Sequence, residues 1–322
     1  MKRFVVCGET LIDLIQAAEQ PGGNFSSTWL ALSAGGPMNS AVALSRLGAD
    51  SHFLGRFSRD SFGRQLSAYI REAGVHLDLA TESSQSTSIA VVSLDDQGVA
   101  SYTFHFAETA NFGWQPEDLP ALKPEDFLHI ASLATVVSPG AQVLLDWAGQ
   151  LTCQMSFDIN VRPTVITDPD EYWEHVKPWL RTMGVHHGII KASDEDVKFL
   201  AQASGASRTG STDPVEIAAG WVESYGVSMA VITPGPDGGV ALLSGGEEVR
   251  VPGFPTKVVD TVGAGDTFMA GFLDGYVNLG QPVSESLRRG AAAAAIVCSR
   301  QGAQPPTAAE VDSLLKSARV RP

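Results

Sequence analysis

The sequence predicts an α/β fold: a mostly parallel sheet with helices on both faces, plus a small β appendage. Short apolar runs alternate with helix-period segments along most of the chain, the mark of βαβ units. Two stretches, 87–106 and 238–253, instead pair strand-like runs around turn residues. The 322 residues, 44% hydrophobic and 18% charged, suit one large domain with an appendage. No repeat, low-complexity tract or linker divides them.

"FVVCG" (4–8) reads as a buried strand ending in a polar turn. "MNSAVALSRLG" (38–48) places apolar residues at helical spacing and stops at Gly48, a C-cap. "DSHFLGRFS" (50–58) predicts a second strand and "FGRQLSAYIREAG" (62–74) a second helix. "TSIAVVSLDDQGVASYTFHF" (87–106) is a hairpin turning at "DDQG"; with residues 14–33 it forms the appendage. The βα rhythm then resumes, with strands at 127–133, 154–161, 188–193 and 228–235 and helices at 140–151, 171–183, 194–204 and 214–226. After the hairpin at 238–253, helices at 266–280, 284–300 and 308–318 close the chain. The alanine run of 291–295 predicts close helix packing.

The formal charge of −14 repels phosphate backbones and anionic lipid, so nucleic acid and membranes are poor partners. No apolar run approaches the ~18–20 residues of a membrane span. "MKRFVVCGETLIDLI" begins basic and then apolar, but Glu9 and Asp13 interrupt it, which favours a buried first strand over a signal peptide. Cys7, Cys153 and Cys298 lie far apart without a C-x-x-C pair, so neither a disulfide framework nor a zinc site is expected. Cytoplasmic residence fits best. The neighbours His186 and His187 read as structural rather than metal-binding.

"DTVGAGDTF" (260–268) carries the chemistry. With Thr267 onward helical, Gly263, Ala264 and Gly265 lie at the helix N-terminus, where backbone amides lack partners and the dipole is positive. Small residues let an anion approach those amides. Asp266 would set negative charge beside that anion, which makes sense for a base that takes a proton from a hydroxyl attacking phosphorus. The plain alternative is a glycine-rich turn with Asp266 as N-cap. No G-x-x-x-x-G-K-[ST] occurs, which excludes a Walker-A loop.

"DTVGAGDTFMAGF" resembles the C-terminal signature of the PfkB/ribokinase family of carbohydrate kinases, and further motifs agree in order along the chain. The resemblance implies a ribokinase-like domain over 1–322, its lid drawn from about 14–33 and 87–112. "GETLIDLI" is similar to the family's opening strand, whose Asp, here Asp13 following a strand, binds sugar hydroxyls. "AGGPMNSAVALSRLGA" is similar to the N-terminal signature, in which Gly35, Gly36 and Asn39 approach the sugar. The alternative for Asn39 is a helix cap or first-turn residue. "ITPGPDGG" points to Thr233, Gly235 and Gly238 at the nucleotide, and "SRQGAQPP" resembles the terminal R-x-G-A element.

"FDINVRPTVI" resembles the D-x-N-x-R pattern of fructokinases and 2-keto-3-deoxygluconate kinases, with Arg162 reaching substrate or phosphate. "SDED" resembles the N-x-x-E element that organises magnesium through water, Ser193 and Asp196 replacing Asn and Glu; a helix start capped by Ser193 explains the same letters. Asp260, Val262 and Gly302 are candidates, by position, for the monovalent cation many members need. Phe104 and Phe106 close over the sugar or fill the appendage's core. Cys298 is a small buried residue or lies near the purine.

The resemblance therefore implies an ATP-dependent sugar kinase with Asp266 as base, Gly263 to Gly265 as anion hole, and Mg²⁺ and K⁺ as cations. Pro37 and Gly36 stand where ribokinases tend to have glycine and lysine. "AETAN" (107–111) resembles the fructokinase R-x-G-T-A-D neighbourhood, although Ala107 and Glu108 replace its Arg and Gly. Fructose is the expected acceptor. The alternatives are 2-keto-3-deoxygluconate, ribose or a nucleoside, or a sugar-binding protein without catalysis. Lid strands with exposed edges make a homodimer reasonable.

Overall fold

The computed structural model describes residues 2–17, 25–94, 100–207 and 210–319. Its main sheet has eight strands. In spatial order they are Glu248–Val251 (β14), Gly239–Leu243 (β13), Met229–Thr233 (β12), Ile189–Ser193 (β11), Gln154–Asp158 (β10), Phe127–Ala131 (β9), Arg3–Cys7 (β1) and Asp50–Leu54 (β4). Strands β12 to β4 run parallel, and β13 and β14 add an antiparallel hairpin. Covered on both faces, the central strands are buried and mostly apolar, and all five residues of β9 are buried. Side chains still alternate between two cores. Phe4 and Val6 face one, Val5 and Cys7 the other.

The second core receives helices Gly140–Ala148 (α3), Pro169–Val185 (α4), Asp194–Leu200 (α5) and Pro214–Tyr225 (α6). The first receives Gly36–Arg46 (α1), Ser61–Glu72 (α2), Ala264–Leu273 (α7), Val283–Cys298 (α8) and Ala308–Arg319 (α9). Local chemistry sets the helix ends. Asp168 accepts from the Asp170 amide at 2.8 Å ahead of Pro169, and α6 stops where Gly226 turns left-handed at φ 72°. Ala291, Ala292 and Ala293 are buried, as the alanine run predicted.

The appendage is a four-stranded sheet ordered Trp29–Ala34 (β3), Leu11–Gln16 (β2), Ile89–Leu94 (β7) and Ala100–His105 (β8). Its first strand pair is longer than 14–33, and Asp13 lies inside β2 rather than after a strand, because the chain stays extended from Leu11 to pair with β3 and β7. The hairpin β7–β8 forms; its "DDQG" turn falls outside the described residues. The strand expected over 50–58 breaks at Gly55. Arg56–Ser58 (β5) leaves the main sheet and pairs with Thr81–Ser83 (β6).

Strand β1 lies between β4 and β9, the next two strands of this sheet along the chain, so the direction of strand order reverses there. The carboxyl ends of these strands form the switch-point crevice where open α/β sheets bind ligands. Helix α7 borders it, running on into a π turn at Asp274–Asn278. A buried ionic staple holds that end. Arg289 of α8 donates from Nε to Asp274 Oδ2 at 2.7 Å and from Nη1 to Asp312 Oδ1 of α9 at 2.8 Å. We expect Asp274→Ala to lose about 3–5 kcal/mol in urea unfolding, because it removes the buried partner of a buried guanidinium and leaves only the exposed Asp312. A loss below ~1 kcal/mol, the worth of a surface pair, would contradict that reading.

Candidate active site

Helix α7 begins at Ala264, two residues earlier than the helix read over 266–280. Gly263 is the N-cap at φ 76°, where its lack of a Cβ removes the left-handed penalty, and no side chain caps the helix. The Ala264 amide donates to Thr261 O at 3.1 Å and the Thr267 amide to Gly263 O at 2.8 Å. Among the described residues no acceptor meets the Gly265 and Asp266 amides. Asp266 is thus in the first turn and is not the N-cap.

Its carboxylate is buried and turned onto α1. Asn39 Nδ2 donates to Asp266 Oδ2 at 2.9 Å, so Asn39 is a first-turn residue of α1 and also the partner of Asp266. A Cβ on Gly36 would lie 3.1 Å from Asp266 Oδ1 and 2.9 Å from Asn160 Nδ2. Gly36 therefore makes room for both side chains. Burial pushes the Asp266 carboxyl above its usual range, while the Asn39 hydrogen bond and the charges of Lys191 and Arg162 pull it back.

Lys191 was not foreseen. It stands in β11 with its ammonium 3.0 Å from Asp158 Oδ2, an ion pair in which both partners are nearly inaccessible. A Cβ on Gly265 would come within 2.8 Å of Lys191 Nζ, so this charge lies directly behind the start of α7. Burial opposes the ammonium's charge, but Asp158, Asp196 and Asp266 outweigh it and raise its pKa. Burial likewise lifts Asp158, against the pull of Lys191. The same cation, added to burial, keeps His129 neutral, its pKa lowered to about 3.

Arg162 follows β10 and donates from Nη1 to Asn160 Oδ1 at 2.6 Å and Val161 O at 3.0 Å. Burial raises the carboxyls of Glu9, Asp13 and Asp266, and the positive charge of Arg162 opposes that rise in all three. Glu9 is another buried acid that motif reading missed. Its Oε2 accepts the Ala134 amide at 3.0 Å.

Asp13 enters from the lid. One rung across the sheet aligns Leu32, Asp13, Ala90 and Phe104, so these side chains share a face. Phe104 is half-buried there, whereas Phe106 is buried and packs on Phe112 at 5.0 Å, filling the core. Asn111 ties lid to sheet by donating to Thr10 O at 2.5 Å and Ser88 Oγ at 3.0 Å. Gly35, at φ 130°, lets α1 start against the Glu9 carbonyl.

Ser193 and Thr233 are register partners at the carboxyl ends of β11 and β12. Ser193 and Asp196 form a capping box. Asp196 Oδ2 accepts from Ser193 N at 2.7 Å and its Oδ1 from Val161 N at 2.8 Å. Gly235 opens onto free space, while Gly238 is required by packing, since a Cβ there would overlap Val251 O. Asp260 gathers the other candidates, accepting from Val262 N at 3.0 Å and Gly302 N at 2.8 Å. Cys298 is half-buried, and its carbonyl accepts the Val259 and Asp260 amides. His186 ends α4 as its C-cap.

Signals for the missed residues existed. Asp158 and Asn160 belong to the same D-x-N-x-R stretch as Arg162, and a lysine inside the apolar run "GIIKAS" implies a buried partner.

Burial moves the Asp13 carboxyl up to about 6, the charge of Arg162 opposing it. An acid that holds its proton more tightly when folded weakens the fold as it ionises, so this contribution is lost as pH rises from about 4 to about 6. We expect Asp13→Asn to be more stable than the natural chain near neutral pH, by about 1–3 kcal/mol, and the gap to close below about pH 4. A pH-independent gap in urea titrations would refute this.

The pattern of the pfkB family carbohydrate kinases matches residues 1–310. A fructokinase from Klebsiella pneumoniae is 31% identical over 281 residues, 86% of this chain and 85% of that protein. The crystal structure of a fructokinase with bound ATP from Xylella fastidiosa is 25% identical, with a TM-score of 0.81 over 99% of this chain and all of that one (100%). A fructokinase double mutant from Vibrio cholerae O395, crystallised with fructose, ADP and potassium, is 24% identical and shares the fold at a TM-score of 0.80 over 98% of both chains. No described helix is long and apolar enough to cross a membrane. With the motifs in order, the fold shared and the match running almost end to end, this chain belongs to the pfkB family of carbohydrate kinases.

Proposed function

We propose that this chain is an ATP-dependent fructokinase, a single catalytic domain with an inserted lid. The observation that carries the reading is the placement of Asp266. It is a buried carboxylate, fixed by Asn39, beside unpartnered amides at a helix start and at the carboxyl ends of the parallel strands.

In the proposed reaction, Asp13 on the lid accepts hydroxyl donors of the sugar, with Gly35, Gly36 and Asn39 forming the opposite wall and Phe104 and Arg162 closing the sides. Asp266 accepts the proton of the attacking hydroxyl as its oxygen bonds to the γ-phosphorus. The bond to the bridging oxygen breaks and ADP leaves with that electron pair. Of the Gly263–Gly265 segment the free Gly265 amide, with that of Asp266, takes up charge on the transferring group, the Ala264 amide being held by Thr261 O, and Lys191 behind them adds fixed positive potential. Lid closure excludes water, which would otherwise be the acceptor. Ser193, Thr233, Gly235 and Gly238 border the nucleotide.

Mg²⁺, when bound, neutralises phosphate charge. Both Asp196 oxygens already accept backbone amides, which fits contact through water rather than direct ligation. Asp260, Val262 and Gly302 are drawn together and offer the oxygen donors a monovalent cation such as K⁺ takes.

An ADP-release assay over fructose, ribose, 2-keto-3-deoxygluconate, adenosine and inosine tests the reading. We expect fructose to give the highest kcat/KM and Asp266→Asn to lose at least ~100-fold in turnover. Because Asp266 must be ionised to act, activity should fall with pH through a value above the usual carboxylate range, and Lys191→Met should move that limb higher. Preference for another acceptor overturns the fructose assignment; sugar binding without transfer overturns catalysis.

A homodimer through the lid belongs to the same reading. Leu30, Leu32 and Tyr102 lie exposed on the face that carries Asp13. We expect a concentration-dependent dimer in sedimentation velocity. A monomer throughout would remove this element and leave the kinase assignment standing.

A further inference from the structure

The geometry points to a second site, far from the crevice: a transition-metal site on the outer edge of the main sheet, built from Asp50, His52 and His76 with Asp78 behind it. Zn²⁺ is the ion that suits its donors.

Strand β4 is the sheet's edge. Its alternation sends Ser51 and Phe53 inward and leaves Asp50 and His52 side by side on the outer face. The 75–78 segment is pinned alongside. The His76 amide donates to Ser51 O at 2.9 Å and the Phe53 amide to His76 O at 2.9 Å, forming an isolated parallel bridge. The two imidazoles consequently sit with centroids 4.6 Å apart.

Asp50 Oδ1 lies 3.2 Å from His52 Nε2 and 3.7 Å from His76 Nε2, and one ligand atom from each of the three residues lies within 4.8 Å of the others. Tetrahedral zinc with bonds of about 2.0–2.1 Å holds neighbouring ligand atoms roughly 3.3 Å apart. Only a small inward swing of the exposed His76 ring is needed to match it, and solvent can take the fourth position.

A second feature favours a metal over a simple ion pair. His52 Nδ1 is 2.5 Å from Asp78 Oδ1, and Arg3 Nη2 in turn lies 3.3 Å from Asp78 Oδ2. A carboxylate on Nδ1–H fixes the tautomer whose Nε2 lone pair faces Asp50 and His76, the arrangement that orients metal-bound imidazoles. A His52 charge pair would explain Asp78, but not why His76 also converges on the same Asp50 oxygen. Two imidazoles with one carboxylate select Zn²⁺, Co²⁺ or Ni²⁺ over Mg²⁺ or K⁺. Asp50 pairs with Arg3 at the amino ends of β4 and β1, whereas the crevice opens at the carboxyl ends. Occupancy should therefore stabilise the sheet edge without touching the crevice.

The test titrates the full chain, free of nucleotide and other metals, with ZnCl₂ against a chromophoric chelator. We expect one zinc equivalent in the natural chain. His76→Ala, an exposed change that spares the fold, should lose it, and Asp78→Asn should weaken it by about 10–100-fold. Cys298→Ser should bind as the natural chain does, and kinase turnover should be unchanged in His76→Ala. Absence of zinc binding, wild-type affinity in His76→Ala, or loss of the equivalent in Cys298→Ser would overturn the site.

Discussion

One hydrogen bond, from Asn39 to Asp266, joins residues 227 positions apart and sets the site's geometry. It fixes the start of α7 against the start of α1, so two helix N-termini meet over the carboxyl ends of the sheet. A carboxylate buried there without a partner would neutralise itself. With an amide donor on one oxygen and two cations nearby, it can remain ionised in a place that water does not flood. The proposed base depends on this balance: too little burial leaves it a weak base, too much keeps it protonated.

Beneath that contact lies a charged layer unusual for a sheet core. Asp158, Asp196 and Asp266 act on Lys191, while the charge of Arg162 acts on Glu9 and Asp13. Each carboxylate alone would be costly to bury, and the two cations make the set tolerable. The arrangement concentrates unfavourable desolvation where the proposed reaction would handle a phosphoryl group and a sugar. It explains why Glu9, Asp13, Asp158 and Asp266 titrate upward while the capping acids Asp60 and Glu310 titrate downward. Capping amides favour a charged carboxylate, whereas dry walls disfavour it.

The lid contributes a different constraint. Its four strands form a sheet of their own, and Asn111 anchors its root. Asp13 and Phe104 share one rung, so a single closing motion would bring a hydroxyl acceptor and an apolar wall onto the sugar together.

Local signals fixed much of this. The α/β alternation, the hairpins, the small residues of 263–265 and the acid that follows them were legible because each leaves a periodic or punctuated mark in the chain. The break at Gly55, the double use of Asn39 and the cluster around His52 left none, and the lysine inside "GIIKAS" marked a buried charge without naming Asp158 as its partner. Periodicity reports which face a side chain takes, but not which distant side chain it meets there. Asp196 shows the limit most clearly: its letters fit a cap or a metal helper, and only the fold showed its oxygens bound by the amides of Ser193 and Val161. Sequence alone determined most of the elements and pointed to the residues proposed for the chemistry, since backbone preference and burial pattern act locally. Tertiary structure decided which charges neutralise one another, because electrostatic pairing depends on distances that only the folded sheet sets.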